Sequence, residues 1–345
     1  MEPQVKVFVD SGAYSAAKLG DPINLADYCR YLKDNEEWIH AYAALDVLTP
    51  GNPEDGAEQS WRNYQAMRKQ GLRPVPVFHY GEDIRWLYSL LDAGCDYIAL
   101  GGTAILGNKA ASRTWYDSTW SHLVNAKGEP VVKVHGFGEG NAELVERYPW
   151  HSVDSTTWLF SSIRTPNVMM DTKRKVNVGI ANSKAGQVDT MGAADRRIYD
   201  EFLAQHGLQH SDLEDDNRIA YTTRGFLATT FYHAWEARVR ARREQSPALW
   251  RPAGFFNPPP RKEAGIDNTP FRFFLVNGGN MTTWACVTRV EHRAMLCSYY
   301  YIKKNTIGML DHLRDYALDP LGTVRKLPRW NEFYDMLPAN PRSKT

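Results

Sequence analysis

The chain has 345 residues, 43% hydrophobic and 23% charged, with a formal net charge of +1. This is the composition of an ordinary globular protein, and it excludes a global basic field, so any polyanion must be met by local patches. The length admits one large domain or two small ones, and it suits an α/β barrel with insertions.

Val5-Lys6-Val7-Phe8-Val9 is β-branched and apolar and predicts a first strand, with Asp10 at its tip and Gly12 permitting a sharp exit. A helix is expected over 24–32. Residues 38–45 predict a second strand that stops at Asp46, and Pro50 and Pro53 punctuate the loop that follows. Residues 56–70 read as a helix with Trp61, Tyr64 and Met67 on its core face. A third strand over 74–78 ends at His79-Tyr80-Gly81, and a helix is expected over 84–93. A fourth strand over 97–100 ends at Gly101-Gly102, and a fifth over 131–134 ends at His135-Gly136-Phe137-Gly138. A helix over 141–147 leads to the sixth strand, which carries His151-Ser152-Val153-Asp154. Beyond Leu159 the rhythm breaks. Residues 173–180 predict a seventh strand, 193–205 and 224–243 predict helices, and 247–260 is a proline-rich loop. Residues 271–276 predict a strand able to close the barrel, while 295–302 fits a strand or a buried helix.

Strands alternating with helices predict βαβ units and a parallel sheet. The expected fold is α/β, a TIM-like (β/α)8 barrel with helical insertions and a C-terminal extension. It forms a single catalytic domain: barrel core strands in 1–180, a mainly helical insertion in 185–265, and the closing strand with a C-terminal segment in 270–345. Asp10, Asp46, His79, Gly101-Gly102, His135 and Asp154 each end a strand, where such barrels build their active sites. For Asp154 two readings compete: a cap for the next helix, or a nucleophile at the barrel mouth.

The four cysteines, Cys29, Cys95, Cys286 and Cys297, form no Cys-x-x-Cys pair, and their scatter predicts a reducing compartment. Cys286, His292 and Cys297 lie close in sequence, but that spacing does not support structural zinc, and buried thiols are the expectation; no cofactor is predicted. Met1-Glu2-Pro3-Gln4 has no signal-peptide character, and no apolar run reaches the roughly 18 residues of a membrane span. A cytoplasmic protein without membrane contact is expected. Eleven Trp and eighteen Tyr suit stacking as well as core packing.

The strand ends together resemble a known family. Asp10-Ser11-Gly12-Ala13-Tyr14-Ser15 is similar to the Asp-Ser-Gly-Gly-aromatic-Gln signature of the guanine transglycosylases, barrel enzymes that exchange guanine in a nucleic acid for a 7-deazaguanine base. Asp46, His79-Tyr80-Gly81, Gly101-Gly102, Val134-His135-Gly136-Phe137-Gly138 and Asp154 follow in the family's order. The resemblance covers roughly residues 5–160. Its form is most similar to the phage-type branch that modifies DNA with a 7-deazaguanine such as 7-cyano-7-deazaguanine, which places the protein in a host cytoplasm. The Cys-x-Cys-x-x-Cys motif of the tRNA enzymes is absent, and Thr157-Trp158-Leu159 stands where they carry Pro-Thr-Arg.

The resemblance implies a double displacement in which Asp154 is the nucleophile and Asp10 the acid/base. It implies that Asp46 reads the N1 and N2 edge of guanine, that His79 and the Gly101 and Gly102 amides reach O6, and that Ser11 lies beside the base. Tyr14 and His135 would stack on its faces. Each has a plainer reading: helix cap for Asp46, turn residue for Asp10, barrel packing for Tyr14 and His135. DNA is the expected partner, with Lys173, Arg174, Lys175, Arg240 and Arg242 as candidate phosphate contacts, although charged runs also serve as solvated faces. The runs at 303–304 and 325–326 are further candidates, and a homodimer stays open. The rivals are a tRNA-guanine transglycosylase, a barrel glycoside hydrolase and a catalytically silent binding module.

Overall fold

The structure is a computed structural model that describes residues 6–49, 51–103, 108–159, 167–169, 177–179, 188–214, 218–245, 250, 272–276 and 282–285. The first half alternates strand and helix: β1 (Lys6–Val9), α1 (Ala13–Leu19), α2 (Leu25–Asp34), β2 (Ile39–Tyr42), α3 (Pro53–Lys69), β3 (Val77–His79) and α4 (Ile84–Asp92). It continues with β4 (Tyr97–Gly101), α5 (Lys109–Ser121), β5 (Lys133–Gly136), α6 (Ala142–Arg147), β6 (Ser152–Ser155) and the single turn α7 (Thr157–Leu159). Then come β7 (Asn167–Met169), β8 (Asn177–Gly179), α8 (Ala193–Gln205), α9 (Ser211–Glu214), α10 (Arg218–Gln245), β9 (Arg272–Val276) and β10 (Thr282–Ala285).

Local chemistry sets the helix starts. The side chains of Asn24, Asp83, Asn108 and Asn141 accept from the first free amides of α2, α4, α5 and α6. Helix α3 opens with Pro53, Glu54 and Asp55 and ends with Arg68 and Lys69, the charge order that a helix dipole favours. Helix α5, with its Ser, Thr and Trp residues, carries little intrinsic helix signal and is an addition to the expected elements.

Eight strands form one sheet in the order β2-β1-β10-β9-β6-β5-β4-β3. The pairs β1·β2, β3·β4, β4·β5, β5·β6 and β6·β9 are parallel, whereas β10 runs antiparallel to both β1 and β9. Beyond the two outer strands, Ala43 and Val75 form a parallel bridge in which the Ala44 amide donates to Val75 O at 2.7 Å and the Val75 amide to Tyr42 O at 2.7 Å. The two ends of the sheet therefore meet. Phe8 of β1 and His135 of β5 lie four steps apart in the strand order, about 19 Å on a flat sheet at about 4.8 Å per strand. Their ring centroids are 4.6 Å apart. Such contact requires the sheet to curl so that one face packs on itself.

Period-two alternation divides the core accordingly. Phe8, Ala43, Val75, Val77 and Ala99 pack with Tyr97 and Phe137 on the inner face. Val7, Val9, Phe78, Ile98, Leu100, Val134 and Val153 join the helices, notably Met67, Leu87, Trp120 and Leu144, on the outer face.

Two expectations change. Within the segment 173–180, β8 pairs antiparallel with β7 in a separate two-stranded ribbon and does not join the main sheet. The seventh position belongs to β9, in the segment expected to close the barrel, and β10 supplies the eighth. Only residues 277–281 separate these last two strands. A parallel crossover needs about a dozen residues, so the link makes β10 antiparallel. Among the described residues no helix is long and apolar enough to cross a membrane.

Candidate functional site

The polar strand ends converge on one end of the sheet. Asp10 ends β1, and Gly12, at φ 81°, turns the chain directly into α1. The turn holds Asp10 through a 3.4 Å contact from the Gly12 amide to Asp10 Oδ1 and holds Ser11 through a 3.1 Å bond from the Ala13 amide. That is the turn-residue geometry expected of Asp10. It leaves the carboxyl facing Asp46 and Asp154, whose charges act on it. Burial first, then Asp46 and Asp154, push the Asp10 acid from 3.8 up to about 7.

Asp46 and Asp154 do not cap helices. Helix α3 begins after Asn52, and the amide of Thr157 is taken by Ser155 Oγ at 3.1 Å. Both carboxylates instead anchor buried networks. Asp46 Oδ1 accepts from the hydroxyl of Ser11, and its Oδ2 lies 2.8 Å from His79 Nε2. The other ring nitrogen of His79 lies 3.0 Å from Glu82 Oε1, while Glu82 Oε2 accepts from the His79 amide at 3.0 Å. Two acceptor-only carboxylates facing both ring nitrogens demand a proton on each. Burial pulls the imidazole down, but the hydrogen bonds to Asp46 and Glu82 outweigh it and lift the ring to about 10. Both donors of His79 are thereby committed, which leaves none for a purine O6. Asp46 retains lone pairs and can still accept from a ligand N–H. Tyr28 lies beneath, its hydroxyl donating to Ala43 O at 2.8 Å, and burial, Asp10 and Asp46 hold its phenol proton far above the usual range.

The glycines at the end of β4 have distinct tasks. A Cβ on Gly101 would sit 3.0 Å from His79 Cδ2, so the bare backbone makes room for the imidazole. Gly102 adopts φ 86°, and a Cβ there would press on the Tyr80 backbone at 3.1 Å.

Asp154 is the anchor of the second network. Its Oδ1 accepts from the Gly138 amide at 2.9 Å and lies 3.1 Å from His135 Nε2. His135 Nδ1 is 2.6 Å from Ser152 Oγ, which in turn is 2.5 Å from the Tyr97 hydroxyl. His135 is wholly buried, and the rings of Phe8 and Phe137 meet it edge-on at 4.6 and 4.5 Å. It therefore faces Asp154 from within the sheet and offers no open face to a base. Tyr14 lies on α1 with 58% of its surface exposed.

Beside Asp46 opens a cleft of about 690 Å³ between α1, with Ala13, Ala16 and Ala17, and α3, with Gln59 and Asn63. Among its described lining residues Asp46 alone is ionisable. Such an apolar cleft with one carboxylate and the three amides of Asn24, Gln59 and Asn63 suits a flat, hydrogen-bonding ligand.

The basic run on α10 meets protein instead. Arg240 pairs with Glu236 at 2.7 Å, and Arg242 pairs with Glu146 at 3.0 Å, a carboxylate it shares with Arg238. Arg243 donates to the carbonyls of Val145, Tyr148 and Trp150, and burial with neighbouring Arg242 lowers it to about 10. This run fastens α10 to the segment 145–150. Lys173, Arg174 and Lys175, the runs at 303–304 and 325–326, and Cys286, His292 and Cys297 lie outside the described residues. Among the described residues no group of three or more His, Cys, Asp or Glu could hold a metal.

Sequence reasoning missed Glu82, Ser152 and Tyr97. The spacing His79-x-x-Glu82 and the alternation Ser152-x-Asp154, which puts both side chains on one face of a strand, were the available signals. Neither family models, nor curated proteins, nor solved structures yield a match to this chain.

Proposed function

We propose that the chain is a TIM-like barrel enzyme, a DNA-guanine transglycosylase that replaces guanine in DNA with a 7-deazaguanine base. The observation that carries this reading is Asp10, a carboxyl lifted to about 7 beside two other carboxylates at the same end of the sheet. An acid of that strength can give and take a proton near neutral pH, and two carboxyl groups with separated roles are what a double displacement at a sugar carbon needs.

In the exchange, an oxygen of Asp154 forms a bond to C1′ as the bond from C1′ to guanine N9 breaks. The electron pair leaves with the purine, and Asp10 supplies the proton. The incoming 7-deazaguanine returns its ring proton to Asp10 and attacks C1′, and the Asp154 ester bond breaks. Asp46 accepts from the N1–H and N2–H edge of the base, with its other contacts, Ser11 and His79, fixing its orientation. Gly101 gives His79 its space, and the Gly102 amide lies at the same end of the sheet. The reaction consumes and releases a base only, so it calls on no cofactor. The target nucleotide must leave the helix to bring C1′ to Asp154.

The test is incorporation of labelled base into duplex DNA, single-stranded DNA and tRNA, with Asp154→Ala alongside. Label in DNA that is lost in the variant is the expected result. Label confined to tRNA moves the chain to the tRNA-modifying class. No label in any nucleic acid overturns the transglycosylase reading and turns attention to sugar substrates.

A further inference from the structure

We infer that His135 is a positioning residue that pins Asp154 by one oxygen, Oδ1, and so selects Oδ2 as the oxygen that attacks C1′. This rests on the reading of Asp154 as the nucleophile. The two oxygens of Asp154 have different surroundings. Oδ1 accepts from the Gly138 amide at 2.9 Å and faces His135 Nε2 at 3.1 Å. Among the described residues Oδ2 has no hydrogen-bond partner. A carboxylate oxygen already taking two hydrogen bonds is the weaker nucleophile, because its lone pairs are engaged and breaking those contacts costs energy in a dry site.

The proton arrangement follows from the geometry. Asp154 Oδ1 is an acceptor, so His135 Nε2 must carry a proton whether the ring is neutral or charged. The alternative, a ring lone pair against a carboxylate oxygen at 3.1 Å in a wholly buried place, is repulsive. Ser152 Oγ at 2.6 Å from Nδ1 and the Tyr97 hydroxyl at 2.5 Å from Ser152 Oγ complete the chain, so both ring nitrogens of His135 have a partner. The rings of Phe8 and Phe137 close on the imidazole, and β5 and β6 hold it at fixed register through the pairing of His135 with Ser152. The ring cannot swing to follow the carboxylate, so the carboxylate is held to the ring. This is the orienting task of a hydrogen-bonded partner behind a reactive group, where a misplacement of about 1 Å can cost about 100-fold in rate.

The test has two parts. Long-range proton–nitrogen spectra of the folded wild-type protein should place a proton on His135 Nε2; an unprotonated Nε2 overturns the inference without any activity measurement. In the exchange assay His135→Phe, which keeps the ring's shape, should lower kcat about 100-fold while KM for DNA stays within about twofold. His135→Gln, whose amide N–H can reach Asp154, should recover about tenfold of that loss, and Ser152→Ala should lower kcat about tenfold. A His135→Phe kcat within about threefold of wild type, or a loss that falls on KM, overturns the assignment. Should His135→Phe fail to fold, Ser152→Ala and the spectra decide. Asp154→Ala separates the two levels: if it is inactive and His135→Phe is not impaired, only the positioning role falls. If Asp154→Ala retains exchange, the nucleophile reading falls and this inference falls with it.

Discussion

Replacing Asp10 with Asn should stabilise the protein increasingly as pH rises, while removing its acid. The Asp10 carboxyl is lifted from 3.8 to about 7 by burial and then by Asp46 and Asp154. A raised acid holds its proton more tightly in the folded chain than in the unfolded one. Its contribution therefore favours folding at low pH and is lost as pH climbs from 3.8 through about 7. The slope within that window is about 1.4 kcal/mol per pH unit, so from pH about 5 to pH about 8.5 this one group costs wild type about 2.7 kcal/mol. Asp10 keeps partial access to solvent, which makes that figure an upper bound. Asn does not titrate. Urea melts of both proteins at the two pH values should show the stability difference moving in the variant's favour by about 1–3 kcal/mol at the higher pH. A difference that does not change with pH would refute the strained-acid assignment. Exchange by the variant should be lost at both pH values, and its retention would remove Asp10 from proton transfer.

His79 obeys the same sign in a higher window. Its ring rises from 6.5 unfolded to about 10 folded, so its stabilisation is whole below 6.5 and is lost as pH rises through about 10; wild type should lose stability relative to His79→Gln across that range in urea melts. Gly101→Ala should cost about 1–3 kcal/mol and weaken selection of the base, because the new Cβ presses on an imidazole held from both sides. Melts, with competition between guanine and adenine analogues, check both effects. Arg243→Ala should cost about 3 kcal/mol in a urea melt by stranding three carbonyls, whereas Arg242→Ala, at an exposed ion pair, should cost less than about 1 kcal/mol.

Much of the sheet was legible because most of its first six strands are short β-branched or apolar runs that stop at Gly, Asp or His, while the sixth, Ser152–Ser155, was marked by Val153 and its terminal acid. The breaks α1 and α5 were harder. Helix α1 is seven residues after a tight Gly12 turn, and α5 is rich in Ser, Thr and Trp, so neither carries a strong period. The antiparallel β10 has no signal of its own; it follows from the shortness of the link after β9. The strand-end carboxylates could be read from position alone, but their partners could not. That His79 would be claimed from both sides by Asp46 and Glu82, and His135 turned inward to Asp154, depends on which way a ring faces across a curled sheet. The arginines of α10 misled for a similar reason: a basic run looks solvated until Glu146 and the carbonyls of 145–150 are placed beside it.

Under the proposed function, the charge layout restricts how a nucleic acid can approach. Asp10, Asp46, Glu82 and Asp154 gather at one end of the sheet, and the His79 ring is already shared between Asp46 and Glu82. Phosphate groups are repelled from such a place, whereas a neutral purine with N–H donors is welcomed by it. Under the proposed reaction the base and its sugar carbon must enter while the flanking phosphates stay at the rim, which is the geometry of a flipped nucleotide. Cations are then needed outside the carboxylate cluster and away from the α10 arginines, whose charges are engaged by Glu146, Glu236 and buried carbonyls. Affinity for the strand and choice of the base are thus separate tasks. Under that reading the described end of the sheet serves the second, through acceptors that would meet donors on a base edge and repel whatever carries a negative charge.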